Sequence, residues 1–244
     1  MMEQSIATMK SAERATLPRL VLADGTLEGV KWLALALMTL DHVNKYLLHD
    51  NLPAIFYAGR LSMPLFAFVL AYNLARPEGL SSGAYGRTCR RLAIGGMVAS
   101  VPFIGLGGLV WEWWPLNIMF MLLVSAGVMY LFKRGGTWRL VLAALLFVVG
   151  GANVEFWWPA IVVTLAMWRY VKHPSWSALI VWIAATVSLY IINRNMWALA
   201  SLPLIFLASR IDLGLPRLRH AFYVYYPLHL LVIWLIQRMF VGHP

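Results

Sequence analysis

Beyond residue 30 the sequence is divided into nine apolar runs, at about 30–48, 55–75, 91–109, 116–132, 139–153, 156–170, 178–192, 196–209 and 221–240, separated by short polar or basic turns. A chain with this pattern has little polar surface to offer water. A straight membrane crossing takes about 20 apolar residues, and roughly 17 can serve. Composition points the same way: 61% of residues are hydrophobic and 12% charged, against about 25% charged in an average soluble domain. The pattern predicts an all-α fold, a polytopic integral membrane helix bundle of about nine transmembrane helices. The fifth to eighth runs are short, so they are expected to be thin, bent or partly non-crossing.

The charges set an orientation. If the N-terminus is cytoplasmic, every Lys and Arg of the 20 falls on the cytoplasmic side except Lys45, Arg60, Arg194 and Arg238. That bias follows the positive-inside rule, and it explains the net charge of +10 as topology and lipid contact in place of nucleic-acid binding. Residues 1–29 read as a cytoplasmic basic tail, amphipathic in part, and 30–244 as the membrane domain; no cleavable leader is expected. The single cysteine leaves no internal disulfide and no cysteine metal cluster, and no metal site is expected. Trp111, Trp113, Trp114, Trp157 and Trp158 read as an outer interfacial belt, and Tyr223, Tyr225 and Tyr226 as an inner one.

Four ionisable residues stand where charge is expensive. Asp41, His42 and Lys45 lie in the first run and Arg60 in the second. Such residues inside spans are functional candidates by default. At 1.5 Å per residue, Asp41 lies about 10 Å and Arg60 about 8 Å below the outer surface, on consecutive antiparallel helices. A charge-assisted bond between them is easily made, and it is read either as a structural lock or as part of a reaction or transport centre. Adjacent helical residues diverge by about 100°, so Asp41 is not expected to orient the His42 ring. His42 is the natural proton acceptor, and Arg60 and Lys45 suit an anion. Asp41, His42 and Arg60 are therefore the candidate catalytic group. Lys45, Asn44, Tyr57, Asn73, Asn117, Glu155 and His229 are candidate substrate contacts, with His229 a rival for the base. Arg87, Arg90 and Arg91 are candidate contacts for a cytoplasmic donor's phosphates. Gly59 permits close helix approach, and Pro64 predicts a bend.

The block LxLMxxDHxNK, followed by AGRxxxPLFAFVxAxNLAR, with Phe222-Tyr223 and Pro227-Leu228-His229 near the C-terminus, resembles the TraX family of conjugative pilin-modifying membrane proteins. The likeness runs from about residue 24 and includes the TrbP-type members of conjugative plasmids. The resemblance implies an enzyme of the bacterial inner membrane in a type IV secretion (conjugation) system, acting on a pilin subunit with acetyl-coenzyme A as donor and His42 near the chemistry. TrbP-type systems accompany pilins made cyclic, which have no free amino terminus. The alternative there is transfer of phosphoglycerol from phosphatidylglycerol, a membrane phospholipid, to a side chain. Two further classes stay open: a proton-coupled transporter relaying through Asp41, His42 and His229, and a non-enzymatic pilus assembly factor.

Overall fold

The computed structural model describes residues 17–107, 109–218 and 220–241, all helix and connecting turn apart from two isolated bridges. Among these residues nine helical elements follow in order: α1 (Asp24–Leu47), α2 (Pro53–Ala75), α3 (Ala84–Gly105), α4 (Ile118–Arg134), α5 (Thr137–Asn153), α6 (Trp157–Lys172), α7 (Trp176–Asn193), α8 (Trp197–Ala208) and α9 (Ala221–Ile236). Each overlaps most of one expected apolar run. Two of them, α2 and α7, are long and apolar enough to cross a membrane by length and hydropathy. The others are shorter or more charged than that measure allows, so nine full spans is more than helix length and hydropathy establish.

The tail expected over residues 1–29 is divided. Residues 1–16 lie outside the described residues. Leu20 and Leu22 are buried, and Leu22 exchanges backbone hydrogen bonds with the Tyr72 hydroxyl. Helix α1 starts at Asp24, six residues before the apolar run; Asp24 places an acidic side chain in the first turn, and Glu28 and Lys31 pair one turn later at 2.5 Å.

The second half of α2 buries nearly every face, from Met63 to Phe68 and on to Leu74. A helix that is apolar all round belongs at the centre of a bundle, and α2 packs against α1, α4, α6 and α8. Helix α9 closes the bundle against α1 and α3. As expected from Pro64, α2 breaks: Arg60 and Leu61 interrupt the helix with tighter i to i−3 bonds, and Ser62 Oγ donates to the Gly59 carbonyl at 2.7 Å. The proline ring excludes the Arg60 carbonyl from the next turn. The short fifth and eighth elements are irregular too; α5 passes through a π turn at Leu146–Gly150 and α8 begins as a 3-10 turn.

The two ends of the bundle differ. At one end Asp24 pairs with Arg76 and Arg217, Lys31 Nζ donates to the Leu218 carbonyl, and Lys133 stands over the Tyr85 ring. At the other end Trp114 stacks with Trp157, Tyr57 with Trp197, and Leu116 bridges to Val154. These are the two ends that the sequence reading assigns to the cytoplasmic (basic) and outer (tryptophan-rich) sides, and they are called the basic and outer ends on that reading.

Candidate functional site

The turn after α1 is what brings the site together. His49 and Asp50 take left-handed conformations, Asp50 N–H donates to the Asn44 carbonyl at 2.9 Å, and Pro53 then starts α2, where its missing N–H costs nothing. Asn44 is fully buried and spends its amide on this turn, accepting from Leu52 N–H at 3.0 Å and donating to the Leu52 carbonyl at 3.2 Å. The closed turn sets the start of α2 against the last turns of α1. Gly59 is then so close to Asp41 that a Cβ there would sit 2.5 Å from its carboxylate oxygen.

Arg60 reaches across this contact. Its Nη2 donates to both Asp41 oxygens, at 2.5 and 2.6 Å, its Nε donates to the Phe56 carbonyl at 3.1 Å, and its guanidinium lies over the Phe56 ring. Nη1 has no hydrogen-bond partner among the described residues. Lys45 joins no ion pair there; it is exposed at the rim, 4.8 Å from the Tyr46 ring. The charge-assisted bond expected between Asp41 and Arg60 is therefore present, with Lys45 beside the pair.

These residues line a cavity of about 260 Å³ with His42, Tyr46, Asp50, Glu155 and Tyr226. Glu155 comes from the loop between α5 and α6, outside the expected spans, and is held by its N–H bond to the Leu116 carbonyl at 2.8 Å. Burial pushes its carboxyl up to about 7, against the pull of Lys45. His42 Nδ1 lies 2.8 Å from His229 Nε2, with the rings nearly parallel, and His229 Nδ1 lies 3.1 Å from the Tyr225 carbonyl. As expected, no hydrogen bond joins Asp41 to the His42 ring among the described residues; the ring bonds His229 instead.

A second cavity of about 680 Å³ opens at the basic end, lined in part by Lys31, Asn73, Arg76, Arg87, Arg91 and Arg217. Arg90 does not line it. Asn73 Oδ1 accepts from Arg217 at 3.1 Å. The two cavities use the same helices: α1 gives Lys31 to one and His42 to the other, and α9 gives Tyr223 to one and Tyr226 to the other. Phe222, which lines the basic cavity, packs on Phe66 at 4.8 Å and on Tyr226 of the outer cavity at 6.1 Å between ring centroids, so aromatic contact joins the two linings.

Other candidates sit elsewhere. Asn117 is buried as the cap of α4, accepting from Met119 N–H at 3.1 Å and donating to the Gly96 carbonyl and Ser100. Tyr57 stacks on Trp197 outside the cavity. Tyr226 was read as an interfacial residue, yet it is buried and lines the outer cavity. Its position three residues before His229 was the available signal. Among the described residues no group of three or more His, Cys, Asp or Glu is arranged to hold a metal.

Residues 26–237 match the family model described as TraX protein. The chain belongs to the TraX family. Protein TraX of Escherichia coli K12 is 33% identical over 132 residues, 54% of this chain and 50% of that protein, and a second Escherichia coli Protein TraX matches to the same extent. The chain spans about half the length of the curated TraX relatives it matches. No solved structure matches. The TraX match covers all the candidate site residues and both cavities apart from Asp24.

Proposed function

We propose that this TraX-family chain is a group transferase of the bacterial inner membrane that covalently modifies a pilin subunit. The observation that carries the reading is the outer cavity, which a histidine, a paired arginine with its Nη1 amino group unspent, a lysine and the Glu155 carboxyl line together. Membrane embedding is supported by apolar helix faces that none of the described residues covers. Ile94, Met97, Val98 and Val101 form one such face on α3, and Ile180, Val181, Ile183 and Val187 another on α7. Soluble monomers rarely expose patches of this kind.

In this reading His42 takes the proton from a pilin amine or hydroxyl as that group attacks the donor. It returns the proton to the donor's leaving group as the old bond breaks. Arg60 and Lys45 hold the negative charge that develops between the two steps. Acetyl transfer from acetyl-coenzyme A is the reading the family resemblance favours. The basic cavity suits the phosphates of such a donor, since Arg87, Arg91 and Lys31 line it. From Lys31 to His42 is eleven residues along α1, about 16 Å, the distance an extended carrier arm would have to cover. A second reading, phosphoglycerol transfer from phosphatidylglycerol, is favoured by the position of Arg60 and Lys45 at the outer end, where a lipid headgroup could enter.

The deciding experiment is the intact mass of pilin from cells carrying the wild-type protein, His42→Ala, or no gene. We expect added mass with wild type alone, about 42 Da for acetyl or about 154 Da for phosphoglycerol. Identical masses in all three strains would reject the transferase reading and leave transport or assembly.

A further inference from the structure

The bonds around His229 determine which nitrogen of His42 is free. We infer that His229 is a positioning residue that fixes the tautomer of His42, leaving His42 Nε2 as the base and excluding His229 from that role. The inference rests on the transferase reading only for its catalytic consequence.

A backbone carbonyl can only accept, so the bond to the Tyr225 carbonyl at 3.1 Å requires the hydrogen of His229 on Nδ1. A neutral imidazole carries one hydrogen, so His229 Nε2 is an acceptor. The atom 2.8 Å away, His42 Nδ1, must then be the donor. Neutral His42 has no second hydrogen, and its Nε2 keeps a lone pair. His42 lines the outer cavity, and no hydrogen bond to its Nε2 is made among the described residues. Both nitrogens of His229 are occupied, so it cannot receive a substrate proton while these bonds stand.

The arrangement also fixes ring orientation. The two imidazole planes lie within 4° of parallel, and the Tyr225 ring lies within 11° of His229. Tyr225 is tied in turn to Thr39, three residues before His42 on α1, by a 2.9 Å bond. Helix α9 thus holds α1 at two points, at His42 itself and at Thr39 one turn before it. When Nε2 takes a proton, the Nδ1–H bond to His229 becomes charge-assisted and stronger. His229 does this as a neutral acceptor, while the Asp41 carboxylate is already committed to Arg60. The hydrogen-bond chain ends at the Tyr225 carbonyl, which passes no proton onward, so the two histidines are not a conducting wire.

The test uses the full chain in lipid nanodiscs with nitrogen-15-labelled histidine, the His42 signals being identified by their loss in His42→Asn. Wild type should show His42 protonated at Nδ1 and bare at Nε2. His229→Leu removes the acceptor. It should shift His42 toward the opposite tautomer and lower kcat for pilin modification about 10–100-fold, with KM nearly unchanged. His229→Gln, whose side-chain oxygen can accept from Nδ1–H, should restore the tautomer and much of kcat. Wild-type His42 protonated at Nε2, or Leu and Gln variants alike in tautomer and rate, would overturn the inference. The spectra need no transfer reaction, so unmodified pilin with the expected tautomer would sink the transferase reading alone.

Discussion

Helices α1 and α2 are joined by two aspartate–arginine pairs, one at each end, and they differ in setting. Asp41–Arg60 at the outer end has side chains only 15% and 16% exposed, with both carboxylate oxygens bonded to one nitrogen. Asp24–Arg76 at the basic end has side chains 53% and 38% exposed, and Arg217 stands nearby at 3.8 Å. The chemistry is the same and the consequences are not. A solvated pair contributes about 0–1 kcal/mol. A buried pair is weak evidence of net stability, yet removing one partner strands the other and costs about 3–5 kcal/mol. Buried charge retained at that risk marks the end of the bundle where function is expected.

Asp41→Asn is therefore the sharpest test of the contrast. Modification of pilin should fall at least about 100-fold, and the stability of the purified chain should drop by about 3–5 kcal/mol as Arg60 loses its carboxylate. The double variant Asp41→Asn with Arg60→Leu should regain much of the stability and none of the activity. Intact pilin mass and thermal unfolding in detergent report the two separately. Recovered activity in the double variant would make the pair a lock and nothing more.

Much of this contrast was legible in the sequence. Asp41 and Arg60 stand in apolar runs, and their similar depth follows from helical rise alone. The nine elements were legible because each is an apolar run, and the break in α2 because Pro64 acts on its own turn. Contacts between distant residues were not: His42 and His229 are 187 positions apart, and no local rule pairs them. Asn44 and Asn117 show a different limit. A polar residue in an apolar run signals a ligand contact or a buried cap equally well, and here both amides are spent on backbone. The tyrosines of α9 misled because a belt residue and a cavity-lining residue share the same composition.

Glu155 gives a smaller, pH-dependent effect confined to the outer end. Burial pushes its carboxyl up to about 7 from a usual value near 4.5. Below about 4.5 both folded and unfolded chains hold the proton. Between there and about 7 the folded chain keeps a proton that the unfolded chain has released. Above about 7 the full cost of burying the charge is present. Wild type should therefore lose stability as pH rises from 5 to 8, by up to about 3 kcal/mol. Glu155→Gln, which has no charge to bury, should flatten that slope. Parallel unfolding curves for the two proteins across this range would mean that the Glu155 carboxyl is hydrated.

The smallest effect belongs to the exposed pair. Arg76 holds the Asp24 carboxyl below the usual carboxylate range, but exposure limits its contribution, and Asp24→Asn should change stability by no more than about 1 kcal/mol. Its functional sign is more informative. Asp24 neutralises Arg76 and Arg217, which line the basic cavity with Arg87 and Arg91. Removing one negative charge makes that cavity more attractive to a phosphate-bearing donor, so KM for the donor should fall severalfold while kcat stays near wild type. The effect should shrink as salt is raised, because exposed charges are screened beyond about 8–10 Å at physiological ionic strength. A raised donor KM would mean that Asp24 is needed to position the arginines. An unchanged KM at low salt would separate this cavity from the donor altogether, leaving the outer end as the only entry for whatever group is transferred.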